Sequence, residues 1–344
     1  MLSPRQVSRW RMSASQFAAA RQAYRDLIYP GGLPSTGADQ IAASGYTVPA
    51  CSSVTRWTFD RPGGRDGDSQ NAYLLTPTAT PVGTTLVWMS GHGYAYTGIY
   101  DQTDGSSPIH VALTRGWHVV LCPLPTTEWD SIIDFYESAG HTSIEYLGAL
   151  QTFAGHSWSQ IDINDSPPLA ARLFTDKILR ATNQAVATLA PSRLILSGHS
   201  GGATTSTWVA ALDDRFSAHY CHIPGLPQKI KPDTPTGQMS DWEQCTALNP
   251  VYTRGPLASD TYWTFLLGAA TPGRRSGIVA ALNDPSWTSL TATTTPTWLD
   301  VVGEIEEYVC AVPGASATHL LQTTGHDMNI DRVNWMFNDI EVYS

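Results

Sequence analysis

Residues 192 to 216 read SRLILSGHSGGATTSTWVAALDDRF, and the centre of that run sets Ser200 among Gly198, Gly201 and Gly202. RLILSG is an apolar run of strand length, while ATTSTWVAAL has the length and composition of a helix. A G-x-S-x-G match carries meaning only where a strand enters it and a helix leaves it. Here Gly198-His199-Ser200-Gly201-Gly202 meets that condition. A turn that tight strains the serine backbone, and flanking glycines remove the β-carbons that would clash. The hydroxyl is lifted clear of the sheet edge, and the Gly201 N–H is left at a helix N-terminus, where a developing oxyanion is stabilised. Ser200 is therefore the candidate nucleophile, with a purely structural glycine turn as the alternative.

The segments on either side repeat the same beat. TTLVWMS (84 to 90), WHVVLCPL (117 to 124) and FSAHYCHI (216 to 223) are apolar without strict alternation, as expected of parallel strands covered on both faces. Helices are predicted at 107 to 116, at 168 to 190, after Ser200 and at 331 to 340, and further strands in TWLDVVG (297 to 303) and THLLQTTG (318 to 325). VTRWTFD and NAYLLTP, split by a turn-rich stretch, read as a hairpin that opens this unit. Alternating strands and helices give an α/β fold with a mostly parallel central sheet and helices on both faces. Residues 125–167 and 223–296 break the beat and are expected to form cap-like insertions. Residues 14 to 28 read as a helix capped by Ser13 or Ser15, in an N-terminal helical appendage spanning 1–52 ahead of the main domain at 53–344.

Composition narrows the function classes. Apolar residues make up 42% and charged ones 15% of the 344, which suits a folded chain with a sizeable core. The formal net charge is -10, and lysine occurs only at Lys177, Lys229 and Lys231, so nucleic acid is not an expected partner. The first 29 residues are locally basic through Arg5, Arg9, Arg11, Arg21 and Arg25; this is read as a solvated helix face, with a partner or membrane surface as the alternative. The opening MLSPRQVSRWRMSASQF lacks the apolar core of a secretory signal, and no run is long enough to span a membrane, so the chain reads as soluble with its compartment open. The five cysteines lack metal-ligand spacing; Cys122 and Cys221 read as buried hydrophobes, while Cys245 and Cys310 could pair.

A serine hydroxyl needs a base. Of the ten histidines, His326 directly follows the last predicted strand, and Gly325 lets the chain turn back over the sheet edge. His319 lies inside that strand, and His199, beside the serine, would point away from its hydroxyl. A carboxylate is then needed to fix the imidazole tautomer. DVVGEIEEYV offers Glu304, Glu306 and Glu307, with Asp300 and Asp327 as weaker choices. A second oxyanion donor is expected after TTLVWMS, where SGHGYAYTG offers the N–H groups of Tyr94 and then Gly93.

Taken together, the early hairpin, His92-Gly93, the turn at Ser200, a later acid and His326 before a terminal helix resemble the α/β-hydrolase superfamily over residues 53 to 344. GHSGGATTSTWVAALDDRFSAHY is most similar to the dienelactone-hydrolase and acetylxylan-esterase-like branch. The resemblance implies the α/β-hydrolase fold, a triad of Ser200, His326 and Glu306, and an oxyanion hole of Gly201, Tyr94 and Gly93. It implies a serine esterase that needs no cofactor or metal and acts on a small-molecule or glycan ester, for which Trp129 and Trp242 in the insertions offer aromatic walls. Two departures stand out: glutamate where aspartate is commoner, and the length of 223–296. A serine peptidase or amidase on the same fold, and a non-catalytic binding or assembly protein, are the competing readings.

Overall fold

In the strands the side chains alternate between two helical layers, and that alternation organises the molecule. The computed structural model describes residues 12–35, 37–42, 48–60, 69–91, 106–124, 167–224, 261–281, 298–322, 325–326 and 328–343. Its strands are β1 (Asp39–Ala42), β2 (Cys51–Asp60), β3 (Ser69–Pro77), β4 (Thr84–Met89), β5 (His118–Cys122), β6 (Arg193–His199), β7 (Ala218–His222), β8 (Arg275–Ala281) and β9 (Ser316–Gln322). They form one sheet in the order β1-β2-β3-β5-β4-β6-β7-β8-β9. The first three strands join antiparallel, and every pairing from β5 through β9 is parallel. The helices among the described residues are α1 (Ala14–Ile28), α2 (Pro108–Thr114), α3 (Pro167–Leu189), α4 (Gly201–Leu212), α5 (Thr261–Ala269), α6 (Trp298–Val309) and α7 (Ile330–Val342).

Successive residues of a strand face opposite sides. Val87 and Met89 of β4 and Val120 and Cys122 of β5 join the core under α1, α3, α4, α5 and α6. Leu86, Trp88, Val119 and Leu121 point the other way, onto Ile109 and Leu113 of α2 and Val333, Phe337 and Ile340 of α7. The result is three layers, helix on sheet on helix. Every residue of α4 is buried, a helix packed all round and built from small side chains. Its threonines stay satisfied by bonding backward to the preceding turn, Thr205 to the Gly201 carbonyl and Thr207 to the Thr204 carbonyl.

Three expectations change. Of residues 297–303, read as a strand, 298–303 begin α6 instead. Its buried positions Val301, Ile305 and Val309 are four residues apart, so helical packing overrides the strand preference of paired valines. Residues 223–296, read as an insertion, contain α5 and β8, and β8 is an interior strand paired on both sides. RSGIVAA is short and built largely of small residues, which leaves a weak local signal.

The described part of residues 1–52 is not appended to the core but part of it. α1 has its capping box at Ser13 and buries Phe17, Tyr24 and Ile28. Its arginines turn inward rather than into solvent or toward a partner. Arg21 donates to the Ala270 carbonyl at 2.8 Å and to Thr271 Oγ1 at 2.7 Å, and Arg25 donates to the Leu212 carbonyl and pairs with Asp214. Both thereby cap the C-terminal ends of α4 and α5, where unsatisfied carbonyls favour a cation. Arg274, fully buried, extends the same device with bonds to the carbonyls of Ala210, Asp213, Phe216 and Gly268.

Cys122 and Cys221 are buried as read from their apolar runs, Cys310 is an exposed free thiol, and Cys245 lies outside the described residues. Among the described residues no helix is long and apolar enough to cross a membrane.

Candidate active site

The C-terminal ends of the parallel strands bring the site together. β6 ends at His199, α4 begins at Gly201, and Ser200 joins them at φ 54° and ψ -125°. A non-glycine residue in that region is strained, and such strain persists only where its surroundings impose it. The surroundings are backbone at close range. A β-carbon on Gly198 would lie 2.4 Å from the Gly202 carbonyl oxygen, and one on Gly202 2.4 Å from the Ser90 oxygen. One on Gly91 would lie 2.8 Å from Ser200 Cβ. The turn is thus pressed against the end of β4, and only glycine fits at all three positions. The Ser200 N–H donates to the His222 carbonyl at 2.9 Å, tying the turn to β7.

Serine is a favoured helix cap, but Ser200 makes no cap bond with its side chain. Its Oγ lies 2.8 Å from His326 Nε2 instead. With the imidazole neutral, Ser200 O–H donates and Nε2 accepts, the geometry required of a nucleophile and its base. The Gly201 N–H stands at the uncapped N-terminus of α4, on the positive end of its dipole. Both Ser200 and His326 are half-buried.

His326 reaches the serine through a loop held by main-chain contacts. Gly325 sits at φ +86°, a left-handed conformation that glycine adopts without strain. His199, beside the serine in sequence, donates its Nε2–H to the His326 carbonyl at 2.6 Å. Arg332, at the start of α7 and fully buried, donates to the Gly325 carbonyl at 2.8 Å and to Gln322 Oε1 at 2.6 Å. Sequence reasoning passed over both contacts, because His199 is 127 residues from His326 and nothing in the run from His326 to Arg332 shows that the guanidinium turns back onto Gly325.

Beneath the turn, burial pushes His222 down to about 3 and His219 well below the usual histidine range, so both are neutral near pH 7.

Glu306 does not sit where the sequence reading put it. It lies on α6, not after a strand, and its Oε1 is 2.6 Å from Nδ1 of His319. His319 is midway along β9, so Glu306 meets that strand about 10 Å short of its C-terminal end, going by the rise of a strand. Glu304 and Glu307 are on the same helix. The misplacement follows from reading α6 as the penultimate strand; that strand is β8, ending at Ala281. Gly93, Tyr94, Trp129 and Trp242 lie outside the described residues.

A mostly parallel sheet between two helical layers, with a strained serine turn after an inner strand and a histidine beyond the last strand, has the architecture of the α/β-hydrolase fold. Solved structures agree. Acetyl xylan esterase from Paenibacillus sp. R4 is 15% identical with a TM-score of 0.56, all of both chains being covered. Acetyl xylan esterase 1 from Thermoanaerobacterium is 13% identical with a TM-score of 0.55, covering 100% of this chain and 99% of that one. Glucuronoyl esterase from Solibacter usitatus is 12% identical with a TM-score of 0.55, covering 97% and 94%. No family model and no curated protein sequence matches the chain. At these identities the likeness is one of fold.

Proposed function

We propose that the chain is a serine hydrolase that cleaves carboxylic esters through an acyl-enzyme. The observation that carries this reading is the 2.8 Å contact of Ser200 Oγ with His326 Nε2, made by a serine in strained backbone at the head of α4. In the proposed cycle Ser200 Oγ attacks the ester carbonyl as His326 takes its proton. The tetrahedral oxyanion is held by the Gly201 N–H and by N–H groups of Gly93 and Tyr94 on the segment that leaves β4. His326 returns the proton to the departing alkoxide, and water, deprotonated by the same imidazole, then releases the acid and restores Ser200.

The triad acid is reassigned. Ala281 at the end of β8 pairs in register with Gln322 at the end of β9, so the C-terminal ends of these two strands lie side by side, four residues before His326 in the second. The first carboxylate beyond Ala281 is Asp284, outside the described residues. Asp284 takes the place of Glu306 in this reading, which also removes the departure of glutamate for aspartate.

An acylated carbohydrate is the proposed substrate class, supported by the acetyl xylan and glucuronoyl esterases among the structural neighbours. Trp129 and Trp242 are proposed as walls for a sugar face. Labelling by a fluorophosphonate, lost in Ser200→Ala, tests the nucleophile. Turnover of p-nitrophenyl acetate well above that of aminoacyl-nitroanilides, and acetate release from acetylated xylo-oligosaccharides, test the bond and the substrate. Absence of labelling in the folded wild-type protein would favour a binding module instead.

A further inference from the structure

Two buried side chains grip two consecutive carbonyls of the loop that carries the base. His199 Nε2–H donates to the His326 carbonyl at 2.6 Å, and Arg332 Nη2 donates to the Gly325 carbonyl at 2.8 Å. The grips come from two different elements, the end of β6 and the start of α7. His199 belongs to the serine turn itself, 2% exposed, with its ring 5.3 Å from that of His326 and its Nδ1 3.2 Å from where a Gly91 β-carbon would lie. Arg332 belongs to α7 and is itself aimed by Gln322, whose Oε1 also accepts from Asn329 Nδ2 at 3.2 Å. Asn329 in turn caps α7 by accepting from the Arg332 N–H at 3.1 Å.

We infer that His199 and Arg332 are positioning residues that clamp the backbone at Gly325 and His326 and so hold the imidazole at its working distance from Ser200. The inference rests on the serine hydrolase reading above. Its physical basis is that glycine at 325, in a left-handed conformation, restrains its own backbone less than any other residue would, while proton transfer tolerates little displacement. A misplacement of about 1 Å costs on the order of 100-fold in rate. His199 also links nucleophile and base directly: the residue before the serine holds the carbonyl of the histidine that activates it. Imidazole suits this because its Nε2–H reaches past the turn with few rotatable bonds, and the guanidinium of Arg332 suits its place because one rigid fork serves Gln322 and Gly325 together.

The test compares variants of the full chain by kcat and KM on p-nitrophenyl acetate, by the rate of fluorophosphonate labelling and by thermal melting. His199→Leu should lower kcat and the labelling rate together, by about 10- to 100-fold, with KM within about twofold. His199→Gln, whose amide can donate from nearly the same place, should recover most of that loss. Arg332→Met should lower kcat in the same way, and Arg332→Lys should recover part of it. If the leucine variant does not fold, His199→Asn, polar but too short to reach, replaces it against His199→Gln. A folded leucine variant with unchanged kcat and labelling rate, or equal losses in leucine and glutamine variants, overturns the clamp. Wild-type protein that does not label overturns the serine reading itself, so the two failures are distinguishable.

Discussion

The serine side and the histidine side of the site are built by opposite means. Ser200 is held by steric exclusion: three glycines let the ends of β4 and β6 and the start of α4 approach within backbone contact, and the strained φ of 54° follows. His326 sits on a loop beyond the sheet's edge strand and is held by hydrogen bonds to its carbonyls from His199 and Arg332. A sterically held group has one position and fails abruptly when volume is added. A group held by hydrogen bonds fails by degrees as the bonds are removed. The candidate site thus joins a rigidly held serine to an adjustable histidine.

The largest expected effect breaks both sides at once. Ser200→Ala and His326→Ala should each reduce turnover by about 10⁴-fold or more, and the double variant should be little worse, because members of one catalytic unit do not contribute additively. Strongly additive losses in p-nitrophenyl acetate hydrolysis would mean that the two do not act together. On the histidine side, if Asp284 holds the triad place proposed for it, Asp284→Asn should cost about 10³- to 10⁴-fold in kcat with a normal melting curve.

On the serine side, Gly202→Ala should destabilise the fold by about 3 kcal/mol, since its β-carbon would meet backbone oxygens of Met89 and Ser90 that cannot rotate away. Denaturant titration measures this, and a loss below about 1 kcal/mol would show that the turn is not packed as tightly as described.

Stability should also depend on pH through the serine side. His219 and His222 have folded-state values below the ordinary histidine value of 6.5, so the unfolded chain takes up protons first as pH falls. Their contribution is complete above about pH 6.5 and is lost on acidification, for His222 toward about 3, at no more than about 1.4 kcal/mol per pH unit for each. His219→Gln should flatten that slope below about pH 6.5, where a thermal melting series would show it. An unchanged slope would remove His219 from the account.

The smallest effect is expected at Glu306→Gln. The pair with His319 is about one-third exposed on both sides, so stability should change by less than about 1 kcal/mol and kcat by less than about twofold. A loss of about 10³-fold would return Glu306 to the triad.

What could be read from the chain alone follows the same division. Gly198, Gly201 and Gly202 flank Ser200 within five adjacent residues, so most of a turn that only glycine permits leaves its mark locally, with Gly91 supplied from the end of β4. The apolar runs of β4, β5, β6 and β7 likewise carry their own signal, because strands buried on both faces need no partner sequence to be recognised. α6 was misread because Val301 and Val302 suit a strand locally, and only its packing against the sheet showed that Val301, Ile305 and Val309 share one helical face.

The candidate base could be proposed from its place after the last strand, yet its support could not. His199 and Arg332 are 127 and 6 residues from His326 along the chain, and nothing local to either points to its carbonyl. Glu306 and Asp284 differ in the same respect. Which carboxylate follows the strand beside β9 depends on knowing that RSGIVAA is a strand, and that depends on pairing with β7 and β8's other neighbour, β9. The sequence by itself determined the serine turn, the layered α/β class and the candidate base, because each is encoded in short-range pattern. The tertiary structure alone decided which partners hold them, because the bond from His199 exists only once the sheet has set its strand order and that from Arg332 only once α7 has packed against it.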